Sequence, residues 1–217
     1  MRSNGSLYSL SWRDLIWLGL SIAVLLGMLL TGPVAAQHHS SRITAVAGQA
    51  TLIRGGVHVP IKAGTPLHVE DRLVTANDSR VAIAFGPGDT AVIGADSAVV
   101  LRYFDVAAEG AREGLLELLH GILRVVLRPG PDTAVEVSTR TAIASVRSTE
   151  WVVEAKSDGT GVFTVSGSVD VMSRTSGTQV RIGPGEGTDV PGAGEPSPAK
   201  RWGEARVRSV LERTRQP

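Results

Sequence analysis

Apolar and polar residues alternate along most of this chain, from residue 43 to residue 190. The segment 80–85 (RVAIAF) is typical, because Val81, Ile83 and Phe85 are spaced two apart. A period of two places successive side chains on opposite faces, which is the pattern of half-buried β-strands. Runs rich in Gly, Pro, Asn and Asp interrupt the alternation at intervals of mostly about 8–20 residues. This organisation predicts an all-β sandwich, barrel or rolled solenoid.

Two local patterns within this region each have more than one structural interpretation. Residues 113–119 (EGLLELL) could form a helical turn, but we interpret them as a strand that leads into Gly121. A Gly-x-apolar-x-apolar pattern begins at Gly48, Gly121 and Gly167. The intervals between these glycines are unequal, which argues against an array of fixed-length repeats. We interpret the pattern as three similar strand beginnings in a coiled β architecture.

The N-terminal residues 1–36 have the features of an export signal. Arginines precede an uncharged run at 15–30, and the small residues Val34-Ala35-Ala36 follow Gly32-Pro33. This order is typical of a cleaved secretory signal peptide. The alternative is an uncleaved membrane anchor, because about 20 apolar residues suffice to span a bilayer. Both interpretations predict an exported domain, which a linker at 37–42 precedes.

The composition changes again after Val190. Residues 191–201 are rich in Pro and Gly and are predicted to form a linker. Residues 202–217 are predicted to be a short basic amphipathic tail, helical in part, with Val207, Val210 and Leu211 on one face. The tail either docks on the domain or frays, since so short a helix is marginal in water. The alternative is that its arginines contact anionic lipid or a partner, which would be a weak membrane contact.

Composition excludes several classes of function. The chain has no cysteine, so it has no disulfide, no thiolate-bound zinc, no thiol nucleophile and no lipid-modified N-terminal cysteine. It carries 22 basic and 21 acidic residues, and aromatic residues make up 4%. Nucleic-acid binding needs basic grooves and stacking surfaces, so we predict no nucleic-acid partner.

The sequence contains no recognisable catalytic constellation. It lacks a Gly-x-Ser-x-Gly elbow, a phosphate-binding loop and a His-Glu-x-x-His motif, so we predict neither an enzyme nor a cofactor. His58, His68 and His120 are scattered singly, which does not favour metal ligation. Gln37-His38-His39 would start the mature chain after cleavage, and its nitrogens could bind copper(II). The simpler interpretation is a disordered remnant, so His38 and His39 are weak metal candidates.

The stretch 141–155 (TAIASVRSTEWVVEA) places a polar triplet, Arg147-Ser148-Thr149, inside a strand pattern. Before the triplet the apolar set occupies even positions such as Ala144, and beyond it the set includes Trp151 at odd positions. One extra residue in a strand produces such a shift, which is what a β-bulge provides. The triplet is therefore interpreted as a conformational device, with Arg147 a weak candidate for partner binding.

An ordered series of short motifs spans this region. It comprises AGTPL at 63–67, EDRLVTA at 70–76, LLHGIL at 118–123, TAIASVRSTEW at 141–151 and VSGSVDV at 165–171. The series resembles the FecR domain, the periplasmic module of iron-citrate-type signalling regulators and of many envelope proteins. The resemblance assigns residues 43–190 to this domain and implies a solenoid-like or rolled β-sheet, with a short C-terminal helix added. Gly121, Gly167, Ser148, Thr149 and Trp151 are its candidate structural motif residues, although FecR domains typically have glycine where Ser148 stands.

The resemblance also implies a role in envelope signalling or assembly through binding of a protein or envelope component in the periplasm. Full regulators of this kind carry a cytoplasmic anti-sigma domain before the membrane segment. About a dozen residues precede the apolar run here, fewer than a domain needs, so we do not expect this chain to control a sigma factor itself. The alternative is an inner-membrane-anchored signal-transduction component with a periplasmic domain that works with a separate cytoplasmic regulator.

Overall fold

The computed structural model describes residues 41–217 except for residues 87, 107–110, 131–132 and 147–149. The described part contains sixteen β-strands followed by one α-helix. The strands are β1 (Arg42–Ala47), β2 (Ala50–Arg54), β3 (Val57–Val59), β4 (Arg72–Thr75), β5 (Arg80–Gly86), β6 (Asp89–Ile93), β7 (Ala98–Val106), β8 (Arg112–Val126), β9 (Thr133–Ser138), β10 (Ala142–Val146), β11 (Glu150–Ala155), β12 (Gly159–Ser166), β13 (Val169–Ser173), β14 (Gln179–Ile182), β15 (Glu186–Pro191) and β16 (Lys200–Arg201). The helix is α1 (Glu204–Arg213).

The strands form one large sheet that is not closed into a barrel. The sheet divides into two parts that share β8. Half-sheet A has the order β1-β5-β6-β8-β11-β12-β15-β16, and half-sheet B has the order β3-β2-β4-β7-β8-β9-β10-β13-β14. The first part of β8 pairs with β7 and β9 in half-sheet B, and residues from Gly121 onward pair with β6 and β11 in half-sheet A.

The main hydrophobic core joins the two half-sheets. Leu52, Leu116 and Val171 contribute from half-sheet B, while Leu123 and Trp151 contribute from half-sheet A, and all five are fully buried. Alternate residues of each strand supply this core, as the period of two requires. The predicted all-β, rolled-sheet fold with a short C-terminal helix is confirmed. Residues 113–119 form part of β8, so their interpretation as a strand is also confirmed.

The three glycines of the Gly-x-apolar-x-apolar pattern lie where the chain passes between the half-sheets. Gly48 separates β1 from β2, Gly121 divides β8, and Gly167 separates β12 from β13. Their φ angles are 76°, 93° and 78°, in the left-handed region that favours glycine. The repeated sequence pattern therefore records a repeated backbone corner.

A serine supports two of these corners in the same way. At the first corner, the backbone N–H of Gln49 donates to Ser79 Oγ over 2.8 Å. At the second, the backbone N–H of Ile122 donates to Ser97 Oγ over 2.9 Å. Each serine lies against its glycine, where a Cβ atom on Gly48 or Gly121 would overlap it. Steric exclusion and backbone angle together require glycine at both positions.

The chain also changes half-sheet between β10 and β11. Ala144 pairs with Val137 and Val171 in half-sheet B, whereas Val153 pairs with Leu123 and Val162 in half-sheet A. The buried positions facing the main core are even in β10 and odd in β11. The predicted bulge at 147–149 lies outside the described residues and remains a prediction.

Candidate interaction surfaces

The C-terminal segment covers the outer face of half-sheet A. A second apolar cluster on that face consists of Ile122, Val152 and Phe163 from the sheet and Trp202 and Val210 from the C-terminal segment. These side chains point away from the main core, because their neighbours along each strand face it. Residues 202–214 therefore cover apolar surface that the sheet alone would expose to water.

An aromatic stack anchors this segment. The rings of Trp202 and Phe163 lie 5.2 Å apart with an interplanar angle of 23°, and the Arg206 guanidinium lies 3.3 Å from the centre of the Trp202 ring. Offset aromatic stacking and the cation–π contact both stabilise the docked segment beyond the contribution of buried apolar area. Two glycines in the strands beneath make room. A Cβ atom on Gly161 would lie 2.8 Å from Arg206 Nη2, and one on Gly187 would overlap the indole of Trp202.

Ion pairs fix the segment at two further points. Arg206 donates to Asp189, with an Nη1–Oδ2 distance of 2.9 Å. Arg213 pairs with Glu154, whose other carboxylate oxygen lies 2.9 Å from Lys156 Nζ. Hydrogen bonding from Arg206 lowers the pKa of Asp189 despite partial burial. Burial alone would raise the pKa of Glu154, but hydrogen bonds from Arg213 and Lys156 outweigh it and lower that pKa.

The outer face of half-sheet B carries a row of polar side chains across four adjacent strands. Ser145 pairs with Glu136 on β9 and Asp170 on β13, and Asp170 pairs with Arg181 on β14. Ser145 Oγ donates to Glu136 Oε1 over 2.8 Å, and Arg181 binds Asp170 through two hydrogen bonds of 2.7 and 2.8 Å. Directly opposed residues lie on one face of a sheet, so the four form a continuous polar stripe.

This stripe lines an open groove on half-sheet B. The groove has a volume of about 860 Å³, within the ~300–1,000 Å³ range of ligand sites, and also includes Gly130, Ala134, Ser168 and Gln179. Its lining is mostly polar, unlike that of an ordinary hydrophobic ligand pocket. Within the described residues, no helix covers it, in contrast to the outer face of half-sheet A. The groove is therefore the principal candidate for an interaction surface.

The structure places three of the predicted structural residues. Gly121 and Gly167 lie at corners, and Trp151 is fully buried in the main core. Their assigned roles remain predictions, as does the role of Arg147. Arg147, Ser148 and Thr149 lie outside the described residues, and so do His38 and His39.

The three singly scattered histidines lie in different parts of the fold. His58 lies on β3 and His120 on β8, while the backbone N–H of His68 donates to Asp71 Oδ2 over 2.7 Å. Asp89 similarly accepts a hydrogen bond of 2.9 Å from the backbone N–H of Arg128. Among the described residues, no group of three or more His, Cys, Asp or Glu side chains is arranged to hold a metal ion. The described helix is too short and too polar to cross a membrane.

The C-terminal tail docks on the domain, which was one of the two alternatives predicted for it, but the sequence predicted neither the polar stripe nor the face on which the tail docks. The polar stripe is made of one residue from each of four strands. In the sequence each of these residues looks like an ordinary outward-facing residue of a strand. The covering of half-sheet A had a detectable signal, since a glycine inside a strand often marks close approach of another group. Gly161 and Gly187 are such glycines, but the sequence does not indicate that Trp202 is what approaches them.

Known proteins resemble the chain at the level of family and fold. Residues 71–170 match the sequence profile of the family described as FecR protein. No curated protein matches the chain significantly. Two crystal structures of a candidate anti-sigma factor from Parabacteroides distasonis resemble it with TM-scores of 0.53 and 0.51 and identities of 18% and 17%. Each comparison covers 64% of this chain and 64% or 63% of the other, and the likeness concerns the fold.

Proposed function

Because the chain belongs to the FecR-domain proteins, we propose that it is a non-enzymatic component of envelope signalling or assembly that binds a protein or another envelope component. The observation that carries this proposal is the open polar groove on half-sheet B, in contrast to the outer face of half-sheet A, which the C-terminal segment covers. A domain with a large exposed polar groove, and with no recognised catalytic set among its described residues, is suited to recognition.

The groove is suited to a polar partner rather than an apolar one. Glu136, Ser145 and Gln179 offer both hydrogen-bond donors and acceptors. The Asp170–Arg181 pair is substantially exposed, so it is worth little to stability and can exchange its partners for those of a ligand. Interfaces with such lining are held by hydrogen bonds and trapped water as much as by apolar burial.

We propose that the domain lies in the periplasm, and the signal-like residues 1–36 and the usual location of FecR domains support this proposal. The FecR relatives support a protein partner, such as a receptor or a sigma-factor regulator. We propose that this chain also binds a protein of this kind. The alternative is that residues 1–36 remain as an inner-membrane anchor and the chain signals through a separate cytoplasmic regulator. The mass of the protein isolated from cells separates the two, since cleavage after Ala36 removes that segment.

A photo-crosslinking amino acid at Gln179 tests the groove, with the same group at Arg72 as the control. Both positions are exposed and lie on half-sheet B, but Arg72 is on β4, outside the groove. In living cells we expect one adduct of discrete mass from position 179 and none of that mass from position 72. Glu136→Lys should reduce the adduct. Equal adducts from both positions, or no effect of Glu136→Lys, would contradict the assignment of the groove.

A further inference from the structure

The arginines of the C-terminal segment fall into two groups. Arg206 and Arg213 pair with acidic residues of half-sheet A, and Arg215 lies 3.7 Å from Glu212 within the segment itself. Arg201 and Arg208 are exposed and form no ion pair in the described part of the chain. The first two arginines therefore hold the segment in place, whereas Arg201 and Arg208 remain available to another molecule.

Both of these arginines line one groove beside α1. Its apolar wall consists of Phe163, Trp202 and Val207, and its volume is about 370 Å³. Glu204, in the first turn of α1, is the acidic residue among the lining side chains. Two guanidinium groups and one carboxylate give the lining a net positive charge. The groove thus combines an apolar surface with two cations that form no ion pair with any described residue.

We propose that this groove binds an acidic segment of a partner protein, in which a carboxylate lies next to an apolar side chain. The carboxylate would pair with Arg201 or Arg208, since the planar guanidinium binds carboxylates through two hydrogen bonds. The apolar side chain would pack against Val207 and the edge of the Trp202–Phe163 stack. Charge complementarity identifies this occupant, because the tail's other arginines have their acidic partners within the chain.

The composition of the groove favours a protein segment over a membrane surface. Electrostatic binding to anionic lipid takes clusters of about four to eight Lys or Arg. Here Lys200 adds one nearby cation to Arg201 and Arg208, while Glu204 opposes them. Phe163 and Trp202 expose only an edge of their stack, which one apolar side chain can contact but which cannot insert into a bilayer.

This site is distinct from the groove on half-sheet B. The two surfaces share no lining residue. Crosslinking from Gln179 and binding at Arg208 can therefore succeed or fail separately.

Nuclear magnetic resonance titration of the chain as isolated from cells tests the proposal. The probe is the blocked peptide Glu-Leu-Glu, and the matched control is Gln-Leu-Gln. We expect saturable shifts of the Trp202 indole and Val207 amide resonances, with affinity about tenfold higher for the acidic peptide, as a charged hydrogen bond provides. Equal affinities for the two peptides, or an absence of shifts with both, would overturn the proposal.

Four single variants refine the test. Arg201→Gln and Arg208→Gln should each weaken binding of the acidic peptide several-fold, and Glu204→Gln should strengthen it, because it removes the opposing charge. Arg72→Gln, which removes an exposed charge from half-sheet B, should leave the affinity unchanged. Unchanged affinity in both groove arginine variants would refute the site. Binding to phosphatidylglycerol vesicles that depends on Arg201 and Arg208 without any peptide binding would assign the site to lipid and refute the proposed occupant.

Discussion

Gly187→Ala is the substitution that most directly tests whether the C-terminal segment is part of the folded domain. The Gly187 backbone is outside the left-handed region, so the effect of the added methyl group is steric. Its Cβ atom would lie 2.6 Å from the Val162 carbonyl oxygen and would overlap the indole of Trp202. Because the strand backbone cannot move far without breaking its ladder, we expect Trp202 to be displaced.

The cost follows from what Trp202 loses. The residue is 8% exposed, and a buried aromatic side chain removes ~150–250 Å² from water. At ~25 cal/mol per Å² this is about 4–6 kcal/mol, an upper bound because unfolded chains also bury surface. The stacked Arg206 adds roughly 0.5–1 kcal/mol. Undocking of the C-terminal segment would relieve the clash with Trp202, so the cost of Gly187→Ala is limited to about the free energy with which the segment docks. We therefore expect Gly187→Ala to reduce the free energy of unfolding by about 3–5 kcal/mol.

Urea unfolding followed by far-ultraviolet circular dichroism measures this loss, and a double-mutant cycle identifies its source. In a Trp202→Ala background, Gly187→Ala should cost about 1 kcal/mol, because only the contact with Val162 remains. Gly192→Ala is the matched control. Its Cβ would meet its nearest neighbour at 3.5 Å, so the change should be neutral or slightly stabilising. Equal costs of Gly187→Ala in both backgrounds would refute the argument that Trp202 is displaced.

Three further predictions concern acid stability, the core and a corner. The pKa values of Glu154 and Asp189 are lowered in the folded state, so these groups stabilise the fold above pH ~4 and lose this effect as the pH falls through their folded-state pKa values. Melting curves should show this loss of stability in acid, and Glu154→Gln should make the loss smaller. A pH-independent midpoint from pH 6 to pH 2 would contradict it. Trp151→Ala should cost roughly 3–5 kcal/mol in urea unfolding, and a loss below 1 kcal/mol would contradict its burial. Ser97→Ala should cost about 1–3 kcal/mol, because the buried N–H of Ile122 loses its acceptor, and an unchanged unfolding midpoint would show that another group replaces it.

Alternation was sufficient to predict the strands but not how they pair. Residues 113–119 were ambiguous between a helical turn and a strand, and in the strand that they form Leu116 and Leu118 are buried while Glu117 faces outward. Alternation could not predict that β8 belongs to both half-sheets or that it pairs with β9 in parallel. Burial of one face specifies which side chains point inward, whereas pairing depends on contacts between residues far apart in sequence.

The corners between the half-sheets could be predicted from the sequence only in part. The pattern beginning at Gly48, Gly121 and Gly167 was visible in the sequence, but its meaning required the φ angles and the change of half-sheet. The supporting serines gave a weaker signal, the dipeptide Asp-Ser, which occurs at Ser79 and again at Ser97. Its aspartates, Asp78 and Asp96, have positive φ angles of 54° and 49°. Nothing local in the sequence connects each serine with a glycine about 24–31 residues away, because that contact is created by sheet pairing.

Ser148→Gly distinguishes two explanations of the polar triplet 147–149, which lies between β10 and β11 in the sequence. If a bulge needs unusual backbone angles there, glycine should be neutral or stabilising, as the family pattern implies. If instead the Ser148 hydroxyl accepts a backbone hydrogen bond, as Ser79 and Ser97 do, the substitution should cost about 1–3 kcal/mol. Ser148→Ala separates the contributions, since it removes the hydroxyl without freeing the backbone. Urea unfolding in which Ser148→Gly is destabilising and Ser148→Ala equally so would refute the bulge and identify a third serine-supported corner.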